Sequence, residues 1–469
     1  MTLGEIAAVV GGVVEPATAE VVVAGEAFVD SRSPVPEGLF VALAGEHVDG
    51  HAYATEAVEG GAAAVLASRP VAVPAVFVED VLDALGTLAH HVVRRIPGLT
   101  VIGVTGSQGK TSTKDMLAAV LGSHAPTVAA RESQNNEIGV PLTALRVVPG
   151  TRYVVSEMGA RGMGHIAHLA GIMGPSVGVV LNVGVAHLGE FGDQEGIAAA
   201  KGELVEALPS DGVAVLNADD PRVSAMAART SAAVLTFGRA ARADVRLSRV
   251  GLDADGHPTL RLHWRGASTD IALRYVGEHH AANAAAAAAV ALGLGLDLGE
   301  VATALGEARP LSRWRMEVAT SPDGVVVVND AYNANPDSMR AAVRALVDIT
   351  ERRTGARAIA VLGEMRELGD ASRGEHEVLG RFVAGLGVAR LVVVGDEARP
   401  MFEAAGHDAS WGGTAEFATD TDEALRLVRG ALRRGDVVLV KASRAASLEG
   451  LAAALVAGER PNTRTDGGR

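Results

Sequence analysis

A chain of 469 residues is too long for one ordinary hydrophobic core and calls for two to four domains. Its 48% hydrophobic content is ample for packed cores, and the scarcity of aromatics (3%) beside abundant alanine, valine and glycine suits closely packed α/β layers. A formal charge of −14 argues against nucleic acid as a partner, although one local site can still be positive enough for a nucleotide, and the absence of cysteine excludes disulfides and thiolate metal sites.

The N-terminal stretch MTLGEIAAVVGG has no basic region and meets acid at Glu5 and Glu15, unlike a signal peptide. Apolar runs elsewhere break well before the roughly 18 to 20 residues of a membrane span. A soluble, cytoplasmic protein without membrane insertion is expected. Residues 1–97 carry short valine-rich strands separated by turn signals such as SPVPEG (33–38), with helices near 52–60 and 80–95, and Pro97-Gly98 reads as a hinge. From 99 the pattern becomes strand, glycine loop, helix. Strands are predicted at 99–104, 152–157, 176–182 and 213–217, an antiparallel ribbon at 243–276 and an alanine-rich helix at 280–293. The last third, from Arg309-Pro310, alternates helices with strands at 325–329, 358–362, 391–394 and 437–441, as in a doubly wound sheet. The expected organisation is therefore an α/β protein of three domains, 1–97, 98–310 and 311–469, with a polar tail from 457 expected to be disordered.

TGSQGKT (105–111) follows a predicted strand and precedes a predicted helix. Glycines there let backbone N–H groups turn inward around phosphate oxygens, and the helix N-terminus adds partial positive charge. In such a loop Lys110 reaches the β- and γ-phosphates and the Thr111 hydroxyl ligates Mg²⁺. The general pattern asks for glycine where Val104 stands, so this is a tighter variant, Gly106-x-x-Gly109-Lys110-Thr111, with Thr105, Ser107, Gln108 and Ser112 completing the loop. Asn-Lys-x-Asp and Leu-Ser-Gly-Gly-Gln signatures are absent, which argues against a GTPase and a transporter ATPase.

Glu157 ends the strand YVVSE, where a carboxylate points toward the crevice of the phosphate loop and suits Mg²⁺. On its own it could equally be a solvated loop residue. SVGVVLN leads into VGVAHLGEFG and brings His187 to the same rim in phase with Glu157. Lys201, in GIAAAKGELVEAL, reads by chemistry alone as a solvated helix lysine paired with Glu203 or Glu206.

Taken together, TGSQGKTSTKD, SEMGARGMGHI, LNVGVAHLGEFG and AAAKGELVEAL resemble, in order and spacing, the central motifs of the Mur ligase family, most closely its MurF type. HHAANAAAA (279–287) resembles the family's adenine-proximal helix, with Asn283 the matching asparagine, and NDAYNANPDSM (329–339) resembles its MurF-type signature, which includes Asp330 and Asn335. DSR (30–32), with Ser31 and Arg32, and LFVALAGEHVDGHAY (39–53) are similar to a uridine-binding domain. QNNEIGVPLT (134–143), with Asn135, Asn136 and Glu137, is similar to the segment lining the substrate cleft.

The resemblance implies a UDP-binding domain, a central ATPase domain and a Rossmann-like third domain. It implies ATP with two Mg²⁺ ions, held by Thr111, Glu157, His187 and Lys201, the last as a carbamate formed with CO₂. It further implies D-alanyl-D-alanine and UDP-N-acetylmuramoyl-tripeptide as substrates and an acyl phosphate intermediate, in an enzyme type that is commonly monomeric. Departures exist. The family's arginine near the start of the third domain usually follows glycine; here, in LSRWRMEV, Arg315 aligns with it and Arg313 is a rival. KASR (441–444) has Ala442 where relatives often carry glycine. Rival readings are a sister ligase adding one amino acid, a folylpolyglutamate synthase, and an ATP-hydrolysing switch. The Tyr332-Asn333-Ala334-Asn335-Pro336 run argues against the first two.

Overall fold

The computed structural model describes residues 1–45, 48–185 and 188–458, and among these the strands form three sheets. The first has five short strands in the order Val13–Val14, Ala75–Phe77, Ala64–Ala67, Leu39–Val41, Ala27–Phe28, parallel except for the first pair. Helix Val81–Arg94 starts where the Asp80 side chain accepts the N–H groups of Leu82 and Asp83, and it buries Val81, Leu85 and Leu88 against Leu39, Val41 and Leu66.

The second sheet has nine strands. Seven are parallel, in the order Thr127–Ala129, Tyr153–Glu157, Thr100–Thr105, Val177–Val180, Val213–Asn217, Ala233–Gly238, Val245–Leu252. Pro258–Trp264 and Ala267–Ala272 then continue antiparallel. The expected ribbon at 243–276 is thus present, but its first strand also extends the parallel sheet through Phe237 and Gly238. Val101, Ile102 and Val104 are buried, as befits a strand covered on both faces. The alanine-rich helix, His280–Gly293, is core: Ala284 to Ala289 are each 0% exposed, and their small side chains let it lie against the phosphate-loop helix Lys110–Gly122.

The third sheet runs Glu317–Thr320, Val326–Asn329, Val437–Lys441, Ala358–Leu362, Arg390–Val394, Thr414–Ala418, with only the first pair antiparallel. Strand alternation splits its apolar residues between two cores: Val326, Val328, Ala360 and Leu362 face helices Pro336–Glu351 and Ser372–Gly385. Val327, Ile359 and Val361 face helices Thr421–Ala431 and Glu449–Ala457. That last helix includes Ala457 and ends on the left-handed Gly458, which corrects the expected start of the tail; residues 459–469 lie outside the described residues. No described helix is long and apolar enough to cross a membrane.

Candidate active site

The phosphate loop closes the strand Thr100–Thr105 and opens the helix at Lys110. Gly109 occupies the N-cap with φ +82°, and a Cβ there would stand 2.5 Å from Asn283 Oδ1, so both backbone and space demand glycine. Asn182, just past the neighbouring strand Val177–Val180, clamps the loop: its Oδ1 accepts from Gln108 N (3.0 Å), its Nδ2 donates to Gln108 O (3.1 Å) and its carbonyl accepts from Ser107 N (3.1 Å). Ser107 Oγ accepts from Gly184 N at 2.8 Å. The Thr105 hydroxyl is buried without a partner among the described residues. Lys110 Nζ folds back to Gly106 O (2.8 Å); lost hydration draws its pKa below the usual lysine value, opposed by the Glu157 carboxylate.

Glu157 is 1% exposed. Its Oε1 accepts from Asn135 Nδ2 at 2.7 Å, while Oε2 is buried with no partner among the described residues. An orphaned carboxylate oxygen beside a phosphate loop fits a hard cation. Lys201 is only 4% exposed, which corrects the reading of a solvated lysine. Glu203 instead accepts the N–H groups of Gly164 (2.6 Å) and Ala167 (3.0 Å), and Glu206 pairs with Arg229 at 2.8 Å. Burial, reinforced by the nearby charge of Lys110, pulls the Lys201 pKa down to about 7. His187 lies outside the described residues, and among those described no three His, Asp or Glu side chains converge as a ready metal cluster.

The third domain enters the same cleft. Arg315 Nη2 donates to Thr111 Oγ1 (3.2 Å) and Ser133 Oγ (2.9 Å), and its guanidinium lies 4.2 Å from the centroid of the Tyr332 ring; the rival Arg313 is exposed. Asp330 Oδ2 accepts from Lys441 Nζ at 2.6 Å and Oδ1 from Met316 N at 3.2 Å. Burial lowers the Lys441 pKa against the pull of Asp330. Asn335 caps helix Pro336–Glu351 and extends Nδ2 to Ser107 O (3.4 Å), while Asp337 Oδ2 accepts from Val185 N (3.1 Å).

Two cavities meet here. The smaller, about 140 Å³, is lined by Thr111, Ser112, Asn283, Arg315, Asp330 and Asn335. The larger, about 540 Å³, is lined by Asn136, Glu137, Arg161, His165 and Lys201; Lys110, Ser133, Asn135, Tyr332 and Asn333 border both. A third cavity, about 800 Å³, opens in the first domain between Ser31, Arg32, Phe40, Tyr53 and Ser68, and reaches Ile138. Residues 135–138 thus run from the second cavity to the third. The exposed Arg32 guanidinium pairs with Asp30 at 2.8 Å, and this bond holds the Asp30 pKa below the usual carboxylate value. Sequence reasoning did not single out Asn182, Ser133 or Lys441. The signal for Asn182 and Lys441 was available, since both stand at the carboxyl ends of parallel strands, where such sheets bind ligands.

The Mur ligase family, catalytic domain, matches residues 28–97, the Mur ligase middle domain 104–291, and the Mur ligase glutamate ligase domain 314–444. A UDP-N-acetylmuramoyl-tripeptide–D-alanyl-D-alanine ligase from Mycobacterium bovis is 46% identical over 498 aligned positions, covering 97% of this chain and 98% of the relative. MurF from Acinetobacter baumannii superposes with a TM-score of 0.85 at 32% identity, covering 97% of this chain and 98% of that one. MurF ligase from Thermotoga maritima, solved in complex with ADP, superposes with a TM-score of 0.76 at 30% identity over 91% of this chain and 96% of that one. Matched across all three sheets and in its phosphate loop, the chain belongs to the Mur ligase family.

Proposed function

We propose that this chain is an ATP-dependent, ADP-forming ligase that adds D-alanyl-D-alanine to UDP-N-acetylmuramoyl-tripeptide in peptidoglycan precursor synthesis, acting as a monomer in the cytoplasm. The observation that carries it is the border shared by the two central cavities: Lys110 lies on the wall of both, so a triphosphate held in one and a carboxylate held in the other would meet at its ammonium. The ADP-bound relative supports nucleotide in the smaller cavity. Its phosphates fall to residues 105–112 and its base to the side of Asn283, with Arg315, Asp330 and Asn335 closing from the third domain. The larger cavity takes the tripeptide's end and the incoming dipeptide along Asn135, Asn136 and Glu137, and the cavity beside Ser31 and Arg32 takes the uridine end.

The tripeptide's terminal carboxylate oxygen attacks the γ-phosphorus, forming the acyl phosphate as the bond to the β-phosphate oxygen of ADP breaks. The amine of D-alanyl-D-alanine then attacks the acyl carbon, loses a proton, and the tetrahedral intermediate collapses to an amide with release of phosphate. Repulsion between carboxylate and triphosphate is the main obstacle, and the Lys110 ammonium, held against Gly106 O, offsets it. Mg²⁺, when bound, supplies the remaining positive charge, with Thr111, Glu157, His187 and Lys201 as the groups to hold two ions. Lys201 fits its part, since an amine titrating at about 7 is substantially neutral at physiological pH and free to add to CO₂, which turns the amine into an anionic oxygen donor. Closure by the Asn335 and Asp337 contacts excludes water from the acyl phosphate.

Incubating the protein with ATP, Mg²⁺, the UDP-linked tripeptide and D-alanyl-D-alanine, and weighing the product by mass spectrometry, tests this reading. A product heavier by the condensed dipeptide is expected. Unchanged tripeptide beside consumed ATP would contradict it.

A further inference from the structure

Lys114 and Asp115 sit in the phosphate-loop helix, each 2% exposed, and line neither central cavity. Lys114 Nζ lies 2.7 Å from Asp115 Oδ1. The same carboxylate grips the linker between the second and third domains: Oδ2 accepts from Leu311 N (3.2 Å) and Ser312 N (3.0 Å), and Ser312 Oγ donates to Oδ1 (3.3 Å). Lys114 Nζ in turn donates to Ser312 Oγ (3.2 Å) and to the carbonyls of Ala130 and Glu132, both at 2.9 Å. Charge-assisted bonds in such a dry setting are strong and directional.

Arg315 lies three residues beyond Ser312, and Ser133, its second partner, directly follows Glu132. One buried pair therefore fixes both sides of the Arg315 contact. On either side of Arg315 the linker takes an unusual path. Trp314 (φ +56°) and Met316 (φ +53°) both adopt the left-handed region, costly for side chains of this size. Such a path persists only where its surroundings dictate it: Met316 N donates to Asp330, and the Arg444 guanidinium lies 4.4 Å from the centroid of the Trp314 ring.

We propose that Asp115, backed by Lys114, is a positioning residue for the ligase reaction, anchoring the linker so that Arg315 is delivered onto Thr111 and Ser133. This rests on the reading of Arg315 as a nucleotide-side group. An ordinary structural ion pair would hold the fold without acting through Arg315, and a double-mutant cycle separates the two roles.

In the full-length enzyme at saturating ATP, Asp115→Asn is expected to lower kcat about tenfold with Arg315 present, but less than about twofold in an Arg315→Ala background, with KM for the UDP-linked tripeptide unchanged in both. Should Asp115→Asn fold poorly, Ser312→Ala runs the same cycle, with an expected loss of about threefold that vanishes in the Arg315→Ala background. An equal fractional loss in the two backgrounds, or none in either, overturns the proposal. Arg315→Ala retaining the full kcat by itself would overturn the reading of Arg315 first, and the anchor with it.

Discussion

Arg315 donates a 3.2 Å hydrogen bond to the hydroxyl of Thr111 across 204 residues of chain. The bond ties the third domain to the first turn of the phosphate-loop helix, at the group expected to meet Mg²⁺. On the proposed reading, nucleotide binding would have to reshape a contact already made, beside a cavity of only about 140 Å³.

Lys110→Ala is expected to abolish turnover, by about a thousandfold or more, while leaving the fold intact. Among the described residues the ammonium donates to Gly106 O, and it is held against its own desolvation, so the core loses little with it. Phosphate release and a thermal melt check both halves; an active variant would sink the phosphate-transfer assignment.

Lys201→Arg places a permanent cation there and cannot form the carbamate. A loss of about a hundredfold or more in kcat is expected, with the uridine end of the substrate still bound. Mass spectrometry of the native protein at neutral pH in bicarbonate, expected to gain CO₂ on wild type and not on the variant, reads the chemistry directly. Full activity in Lys201→Arg would remove the carbamate from the account.

Gly109→Ala must place a methyl group 2.5 Å from Asn283 Oδ1 at a φ of +82°. Strain of about 1 to 3 kcal/mol is expected, together with loss of nucleotide binding, because the loop must shift to relieve it. Calorimetry with ADP and a thermal melt measure the pair; binding at wild-type affinity would contradict the loop's assigned role.

The His279 and His280 rings meet tilted at 40° with centroids 4.1 Å apart, and burial holds both below the ordinary histidine pKa of 6.5, His279 at about 4. Asp330 and Glu278 pull His279 upward and Lys441 pushes it down, without reversing the effect. Between pH 6.5 and about 4 the unfolded chain binds more protons than the folded one, so stability contributed by the neutral rings is complete above 6.5 and falls as the pH drops through that window. Denaturant unfolding at pH 7, 6 and 5 is expected to show a steeper decline for wild type than for His280→Gln. Equal slopes would contradict the neutral buried ring.

Much of this architecture is legible in local pattern. The strand before Gly106 and the alanine-rich helix over 280–293 stand where periodicity and glycine punctuation place them. Less legible is whatever depends on tertiary company. Thr414–Ala418 is a partly exposed edge strand with weak apolar signal, and the two-residue strands at Val13 and Ala27 are too short to carry a period. Lys201 reads as a surface lysine because two acidic residues, Glu203 and Glu206, lie nearby in the same helix, but Glu203 turns to the backbone at Gly164 and Ala167 and Glu206 to Arg229. Asp115 and Ser133 look like ordinary polar residues until the chain brings Ser312 and Arg315 back to them.

The most direct test of the central claim is acceptor-dependent phosphate release from ATP and Mg²⁺ in the presence of the UDP-linked tripeptide. The account predicts release with D-alanyl-D-alanine and none with a single amino acid. Release with a single amino acid, or with no acceptor at all, would contradict it.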